Sequence, residues 1–71
     1  MLSSTGVPPL GTSYYTGQNN PVSGVFEFAG YVDRSTYPSP SLEQRFIPLS
    51  KGEVFPPCCA KFAYWTLRIY A

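Results

Sequence analysis

The chain of 71 residues contains no histidine, only two cysteines and few charged side chains. The absence of histidine excludes a zinc site built on imidazole, and two cysteines supply only half of the four ligands that structural zinc usually takes. The five Lys and Arg residues and the four Asp and Glu residues are scattered and form no basic stripe. Because clustered Lys and Arg supply most of the nonspecific affinity for nucleic acid, this balance disfavours a dedicated DNA-binding protein. We predict no metal site and no cofactor.

Long apolar segments are also missing from the chain. The longest one, near the C-terminus, is interrupted by Lys61, Thr66 and Arg68. It therefore falls short of the roughly 20 apolar residues that a membrane-spanning helix needs. The residues after Met1 lack both the basic start and the apolar stretch of a signal peptide. We therefore expect a cytoplasmic protein without a membrane span, in which the two cysteines are reduced.

The chain is instead rich in aromatic side chains, with six Tyr, five Phe and one Trp. A chain of this length forms at most one small domain and buries only about 60% of the surface that its unfolded form exposes. Such a core is too thin to enclose every ring. Several aromatic side chains are therefore expected to lie partly exposed.

Proline and glycine dominate the N-terminal third of the chain. Pro8, Pro9 and Pro21 lie among several Gly and Asn residues, around the aromatic pair Tyr14 and Tyr15. Prolines fix φ and remove backbone donors, so a regular ladder cannot run far through them. We predict an extended arm over residues 1–21, mobile or laid over the core, and a single β domain over residues 22–71.

The segment "VSGVFEFAGYVD", residues 22–33, has the composition of a strand. Alternation predicts that one face buries Phe26, Phe28 and Val32. The other face would then carry Val25, Glu27, Ala29 and Tyr31. A glycine inside a strand indicates a bulge or a close backbone approach, and Gly30 is such a residue.

A second, shorter strand is predicted over residues 45–50, after a Pro-rich loop at residues 34–44. Arg45, Ile47 and Leu49 would share one face, and Pro48 indicates an edge strand because it donates no ladder hydrogen bond. The segment "SKGE" fits a tight turn with Gly52 at a positive φ. Together these features predict a hairpin over residues 45–56.

The C-terminal segment "CCAKFAYWTLRIYA" alternates between two sets of side chains. A helix is an alternative, but aromatic and β-branched residues without a cap favour a strand. The buried set is Ala63, Trp65, Leu67 and Ile69, with Trp65 as the core anchor. The outer set is Phe62, Tyr64, Thr66, Arg68 and Tyr70. The predicted fold is all-β, a small antiparallel sheet of three to four strands arranged as a hairpin meander or a small barrel.

The motifs "TGQNNPVSGVFEFAG" and "FIPLSKGEVFPPC", within residues 16–60, resemble the YjzC-like family of small bacterial and phage proteins. That family's pattern is a Pro-Ser-Gly-aromatic start followed by a Lys-Gly-Glu-x-hydrophobic-Pro-Pro turn. The resemblance implies a compact β-hairpin module of bacterial or phage origin, with a phage particle as a second location, and no assigned activity. The chain departs from the pattern at Cys58, where members commonly carry Thr, and in its long aromatic end from Phe62 to Tyr70.

Cys58 and Cys59 allow a functional and a structural interpretation. They could form a reactive thiolate, a soft-metal ligand or a vicinal disulfide, but a reactive thiolate needs a nearby base or cation, and only Lys51 and Lys61 are candidates. The favoured interpretation is structural, with one side chain facing in and one facing out at the entry to a strand.

Glu53 is a lone carboxylate beside a turn, which is poor evidence for acid–base chemistry. We therefore predict no catalytic residues and no enzyme.

Exposed aromatic side chains with an arginine among them are typical of a binding surface. We predict a non-enzymatic interaction module that binds a protein partner through an aromatic face or a sheet edge. The candidate partner-binding residues are Tyr31, Tyr37, Tyr64, Arg68 and Tyr70. The alternatives are that these rings cover the sheet's own second face, or that Tyr64 and Tyr70 stack single-stranded nucleic acid with Arg34, Arg45 and Arg68 near the phosphates.

A homo-oligomer is also expected, because the last strand would leave a bare edge at residues 62–70. The alternative is that the arm covers that edge within one chain.

Overall fold

The computed structural model describes residues 7–71, and its four strands form one antiparallel sheet. The strands are β1 (Ser13–Tyr15), β2 (Gly24–Tyr31), β3 (Phe46–Leu49) and β4 (Ala63–Tyr70). A single helical turn, α1 (Leu42–Arg45), precedes β3 and is capped by Ser41, whose side chain accepts from the Gln44 amide. The predicted all-β fold is therefore confirmed. None of the described residues forms a helix long and apolar enough to cross a membrane.

The strand order is β1-β4-β2-β3, so the last strand of the chain lies inside the sheet. The order is therefore not that of a meander. The prediction that residues 62–70 form the border of the sheet is wrong, because Tyr14 and Tyr15 belong to β1 and pair with Trp65 and Tyr64 of β4. The arm thus covers this edge within one chain, as the alternative expected. Self-association of the chain stays a prediction, but a bare β4 edge no longer supports it.

A bulge in β2 reverses the side-chain alternation after Ala29. The register moves from Phe28 opposite Trp65 to Gly30 opposite Tyr64, and Gly30 has a φ of +124°. The predicted bulge is confirmed, but the faces predicted beyond it are wrong. Tyr31 turns into the core and is only 4% exposed, whereas Val32 is exposed.

A second irregularity shifts the faces of β4. Phe26 pairs with Leu67 but Val25 pairs with Ile69, which leaves Arg68 as an extra residue. Upstream of it the predicted alternation is confirmed, since Trp65 and Leu67 are buried. Downstream it is wrong, because Ile69 is 59% exposed.

The core lies on one face of the sheet under the loop that joins β3 to β4. Phe55 from this loop stacks on Tyr14, with ring centroids 5.1 Å apart, and meets Phe26 edge-on at 4.9 Å. The predicted hairpin over residues 45–56 is wrong, because the second half turns away from β3. Val54 instead bridges to Asn19, and the Phe55 amide donates to the Gln18 carbonyl. The turn itself is confirmed, with Gly52 at a φ of +94°.

The short strand β3 is an edge strand, as Pro48 predicted. Ile47 and Leu49 pack against the core, whereas Arg45, predicted to share their face, belongs to α1. The buried Asn20 carboxamide ties the N-terminal segment to the end of β3, because its Nδ2 donates to the Leu49 and Ser50 carbonyls.

Candidate interaction surface and cysteine pair

The sheet has a second face, opposite the core, that we call the outer face. Pairing places Tyr15 beside Tyr64, Glu27 beside both Thr66 and Phe46, and Val25 beside Ile69. The side chains on it are therefore mostly aromatic or aliphatic. Four of the large ones are 40 to 59% exposed: Tyr15, Phe46, Tyr64 and Ile69.

An ion pair lies across the two central strands of the outer face. Arg68 Nε is 2.6 Å from Glu27 Oε1, and both side chains are partly exposed. The bulge at Arg68 lets this side chain reach the neighbouring strand. An exposed pair of this kind contributes only about 0 to 1 kcal/mol to stability. Its larger effect is to orient one positive and one negative charge among apolar side chains.

Two tyrosines of the outer face contact each other. Tyr15 and Tyr64 meet edge-on, with ring centroids 6.5 Å apart. Beside them, the Ser13 and Thr66 hydroxyls lie within hydrogen-bond distance at 3.1 Å. Cross-strand contacts of this type fix side chains in place. The two rings are therefore held in a defined orientation while their surfaces stay accessible.

The five predicted partner-binding residues do not form one surface. Tyr64 and Arg68 lie on the outer face, but Tyr31 is in the core. Tyr70 lies on the other side of the sheet after the second bulge, near Tyr14, and its hydroxyl donates to the Pro8 carbonyl at 2.7 Å. Tyr37 is 80% exposed, but it belongs to the loop before α1. Because Tyr31 is buried in the core, it is unavailable to a partner.

Sequence reasoning missed Tyr15, Phe46 and Ile69 as members of the outer face. The alternation in β4 assigns Ile69 to the core, and only the bulge overrules it. Tyr15 follows a Pro- and Gly-rich stretch that favours a loop, so no local signal places it on a strand. For Phe46 the sequence did offer a signal, because alternation places its side chain on the face of the strand opposite to that of Ile47.

The adjacent cysteines lie in a tight turn rather than at the entry to a strand. Backbone hydrogen bonds join Cys58 and Lys61 in both directions, at 2.9 and 3.0 Å. Cys59 and Ala60 between them have positive φ values of 56° and 66°. As a result the two Sγ atoms are 3.5 Å apart, and both thiols are free. Cys58 is buried and Cys59 is partly exposed, as the structural interpretation expected, but the two side chains lie together in a turn and not on opposite faces of a strand.

Both thiols border an open cavity of about 120 Å³ beneath the sheet. Its remaining walls are Gln44, Ile47, Pro56, Pro57 and Trp65. The Gln44 Oε1 atom is 3.8 Å from Cys59 Sγ. Next to the pair, the contact with Cys59 raises the pKa of the Tyr31 hydroxyl. The cavity is thus largely apolar, with two sulfurs on one side.

Lys61 makes its polar contacts with the loop after β2, although it follows the thiols closely in sequence. Its Nζ bonds to the Ser35 hydroxyl at 2.8 Å and to the Tyr37 carbonyl at 2.9 Å, and lies 3.7 Å from Asp33. These contacts occupy the ammonium group on the loop after β2. Lys61 therefore gives no support to a reactive thiolate.

Burial, together with the neighbouring Cys59 thiol, raises the pKa of the Cys58 thiol to about 11 from an ordinary value of 9.0. The Tyr31 hydroxyl and the Arg45 guanidinium lower this pKa, but by less. At neutral pH Cys58 is therefore a protonated, buried thiol. This state is typical of a structural cysteine and not of a nucleophile.

The raised pKa predicts slow alkylation of Cys58. Only the thiolate reacts with an alkylating agent. A pKa raised by about two units therefore leaves about 100-fold less thiolate at pH 8 than an unperturbed cysteine has. Cys59→Ser removes the neighbour's contribution to this pKa but leaves burial, the largest cause. In this variant the rate of iodoacetamide labelling of Cys58, followed by mass spectrometry, should therefore keep rising above the ordinary pKa of 9.0. The same variant unfolded in urea is the control, and its rate should level off near the ordinary pKa of about 9. Equal profiles in the two states would contradict the prediction.

The part of the chain from residue 7 onwards holds no group of three or more His, Cys, Asp or Glu side chains arranged for a metal ion. Glu53 Oε1 accepts from the Ser50 amide at 2.6 Å, so this carboxylate stabilises its own turn. No protein-family model matches the chain, and the searches of curated proteins and of solved structures found no match. The resemblance to the YjzC-like family therefore stays a prediction.

Proposed function

We propose that the protein is a non-enzymatic interaction module that binds a protein partner through the outer face of its sheet. The observation that carries the proposal is the asymmetry of the sheet. The loop between β3 and β4 covers one face, while the other presents Tyr15, Tyr64, Ile69 and Phe46 around an ion pair. Exposed aromatic side chains and an arginine on one surface match the composition of protein interfaces, in which aromatic residues and Arg are enriched.

A protein partner fits this face better than single-stranded nucleic acid does. Nucleic-acid binding needs free positive charges beside the stacked bases. Arg68 is paired with Glu27, and Arg45 belongs to α1 and donates to the Pro40 carbonyl at 3.3 Å. The carboxylate of Glu27 would also repel phosphates. The net charge of +1 adds little attraction.

The test is capture of a partner from the organism that encodes the chain, followed by affinity measurement with variants. Changing both Tyr64 and Ile69 to Ala should weaken binding at least tenfold, because exposed anchors of an interface contribute about 2 kcal/mol or more when they are central. Tyr37→Ala is the matched control, since this ring is more exposed but lies outside the outer face. It should leave the affinity unchanged.

Salt separates the protein partner from nucleic acid. An apolar protein contact should change little between about 50 and 200 mM salt, whereas binding through several phosphate contacts would lose orders of magnitude in affinity over that range. A steep salt dependence, or binding that Tyr37→Ala weakens as much as the double variant does, would overturn the proposal.

A further inference from the structure

Two neighbouring cysteines direct their thiols into one cavity, which an extended chain does not allow. In a strand, successive side chains point to opposite faces. Here Cys59 and Ala60 both adopt positive φ values, a conformation that non-glycine residues rarely take. The turn brings both Sγ atoms to the same wall, 3.5 Å apart. Such local strain is found most often at binding and catalytic sites.

The separation of the sulfurs selects the coordination geometry of a ligand. An ion about 2.3 Å from each sulfur, the length of a typical bond from thiolate to metal, would subtend an angle of about 99° between them. A linear ion at the same bond length would need the sulfurs about 4.6 Å apart. A tetrahedral ion would need two further protein ligands, and residues 7–71 offer no such cluster. The pair therefore fits a pyramidal ion that takes two sulfurs and one small third group.

The cavity has room for such a third group. Its volume of about 120 Å³ is somewhat smaller than the roughly 150 Å³ of an engineered apolar cavity that binds benzene. Pro56, Ile47 and the Trp65 ring provide apolar walls, and Gln44 offers a carboxamide near Cys59. A hydroxyl or a methyl group on the ion is therefore accommodated without displacing the core.

We propose that Cys58 and Cys59 form a dithiol site for trivalent arsenic, either arsenite or a monomethyl arsenical. In the binding step each thiol loses its proton and an arsenic–sulfur bond replaces an arsenic–oxygen bond. The proton leaves with the displaced hydroxide as water. Two water molecules are released for each arsenic bound, and no atom is oxidised or reduced. The third position on arsenic keeps its hydroxyl or methyl group and faces the cavity.

Titration of the folded chain with arsenite, in the presence of a phosphine reductant that contributes no thiol, tests this site. Native mass spectrometry should show one arsenic per chain with loss of the two thiol protons. Trp65 is the only tryptophan and lines the cavity. Its fluorescence should therefore change with the same midpoint. Cys58→Ser and Cys59→Ser should each weaken binding at least tenfold, with folding checked by circular dichroism.

The unmodified chain in urea provides a control that needs no substitution. Because the turn holds the sulfurs together only in the folded state, unfolding should weaken arsenite binding at least tenfold. Tyr37→Ala, outside the cavity, should bind like the unmodified chain. Equal affinity in the folded and unfolded states, equal affinity after Cys59→Ser, or recovery of a vicinal disulfide without bound arsenic would overturn the proposal.

Discussion

Replacing Trp65 by alanine should lower the free energy of unfolding by about 3 to 5 kcal/mol, the usual cost of removing a large ring from a core. Trp65 is 1% exposed and lies on the central strand β4. Its ring meets Phe28 edge-on at 6.0 Å, and its Nε1 donates to the Pro56 carbonyl at 2.9 Å. One core of this size supplies only about 3 to 5 kcal/mol in total. We therefore expect the variant to be largely unfolded at room temperature, as measured by urea denaturation.

Two further variants separate the contributions to this loss. Trp65→Phe keeps an aromatic ring but leaves the partly buried Pro56 carbonyl with the Thr16 hydroxyl as its remaining donor. The lost hydrogen bond should cost about 0.5 to 1.5 kcal/mol. Tyr37→Ala removes a ring that is 80% exposed and should change stability by less than about 0.5 kcal/mol. A Trp65→Ala variant that lost no more stability than Tyr37→Ala would contradict the placement of this ring in the core.

The two strands in which side chains alternate clearly between two faces were predicted from the sequence. The effect of the bulges, which shift this alternation, was not. The strand near residues 22–33 and the C-terminal strand are confirmed as β2 and β4. A single extra residue in a strand moves every following side chain to the opposite face. Gly30 signalled the bulge in β2, yet nothing in the residues around Arg68 signals the one in β4. The positions of Tyr31, Ile69 and Tyr70 were therefore predicted on the wrong faces.

Long-range pairing was the second feature that the sequence did not reveal. Ser13–Tyr15 is only three residues long and lies between Gly11 and Gly17, so its strand character depends on β4. Val54 similarly pairs with Asn19 and not with the adjacent β3. Local patterns specify conformation but not partners. This is why a hairpin was predicted where the chain instead crosses under the sheet.

The cysteine site was hidden for a different reason. Positive φ values are predictable at glycine but not at Cys59 and Ala60, where the surrounding turn imposes them. Alternation then predicts opposite faces for adjacent side chains. Only the folded turn shows that the two thiols share one cavity.

Deleting residues 1–16 should have the second large effect, because it removes β1. The deletion eliminates the Tyr14 ring from its stack on Phe55 and the Thr16 hydroxyl that accepts from the Ala63 amide at 2.9 Å. It also uncovers the β4 edge, where Leu67 exchanges backbone hydrogen bonds with Gly11 and Thr12. The loss approaches the whole stability of about 3 to 5 kcal/mol that such a domain has. Unpaired backbone groups on an apolar strand invite pairing with another chain.

Sedimentation velocity over a range of concentrations measures this effect. The shortened chain should unfold, or should associate more strongly than the full chain does at the same concentration. Tyr14→Ala is the graded control, because it removes one ring but leaves the β1 backbone to pair with β4. It should lose stability without associating more strongly than the full chain does. A full chain that dimerises as strongly as the shortened one would contradict the assignment, since the interface would then lie outside the edge that β1 covers.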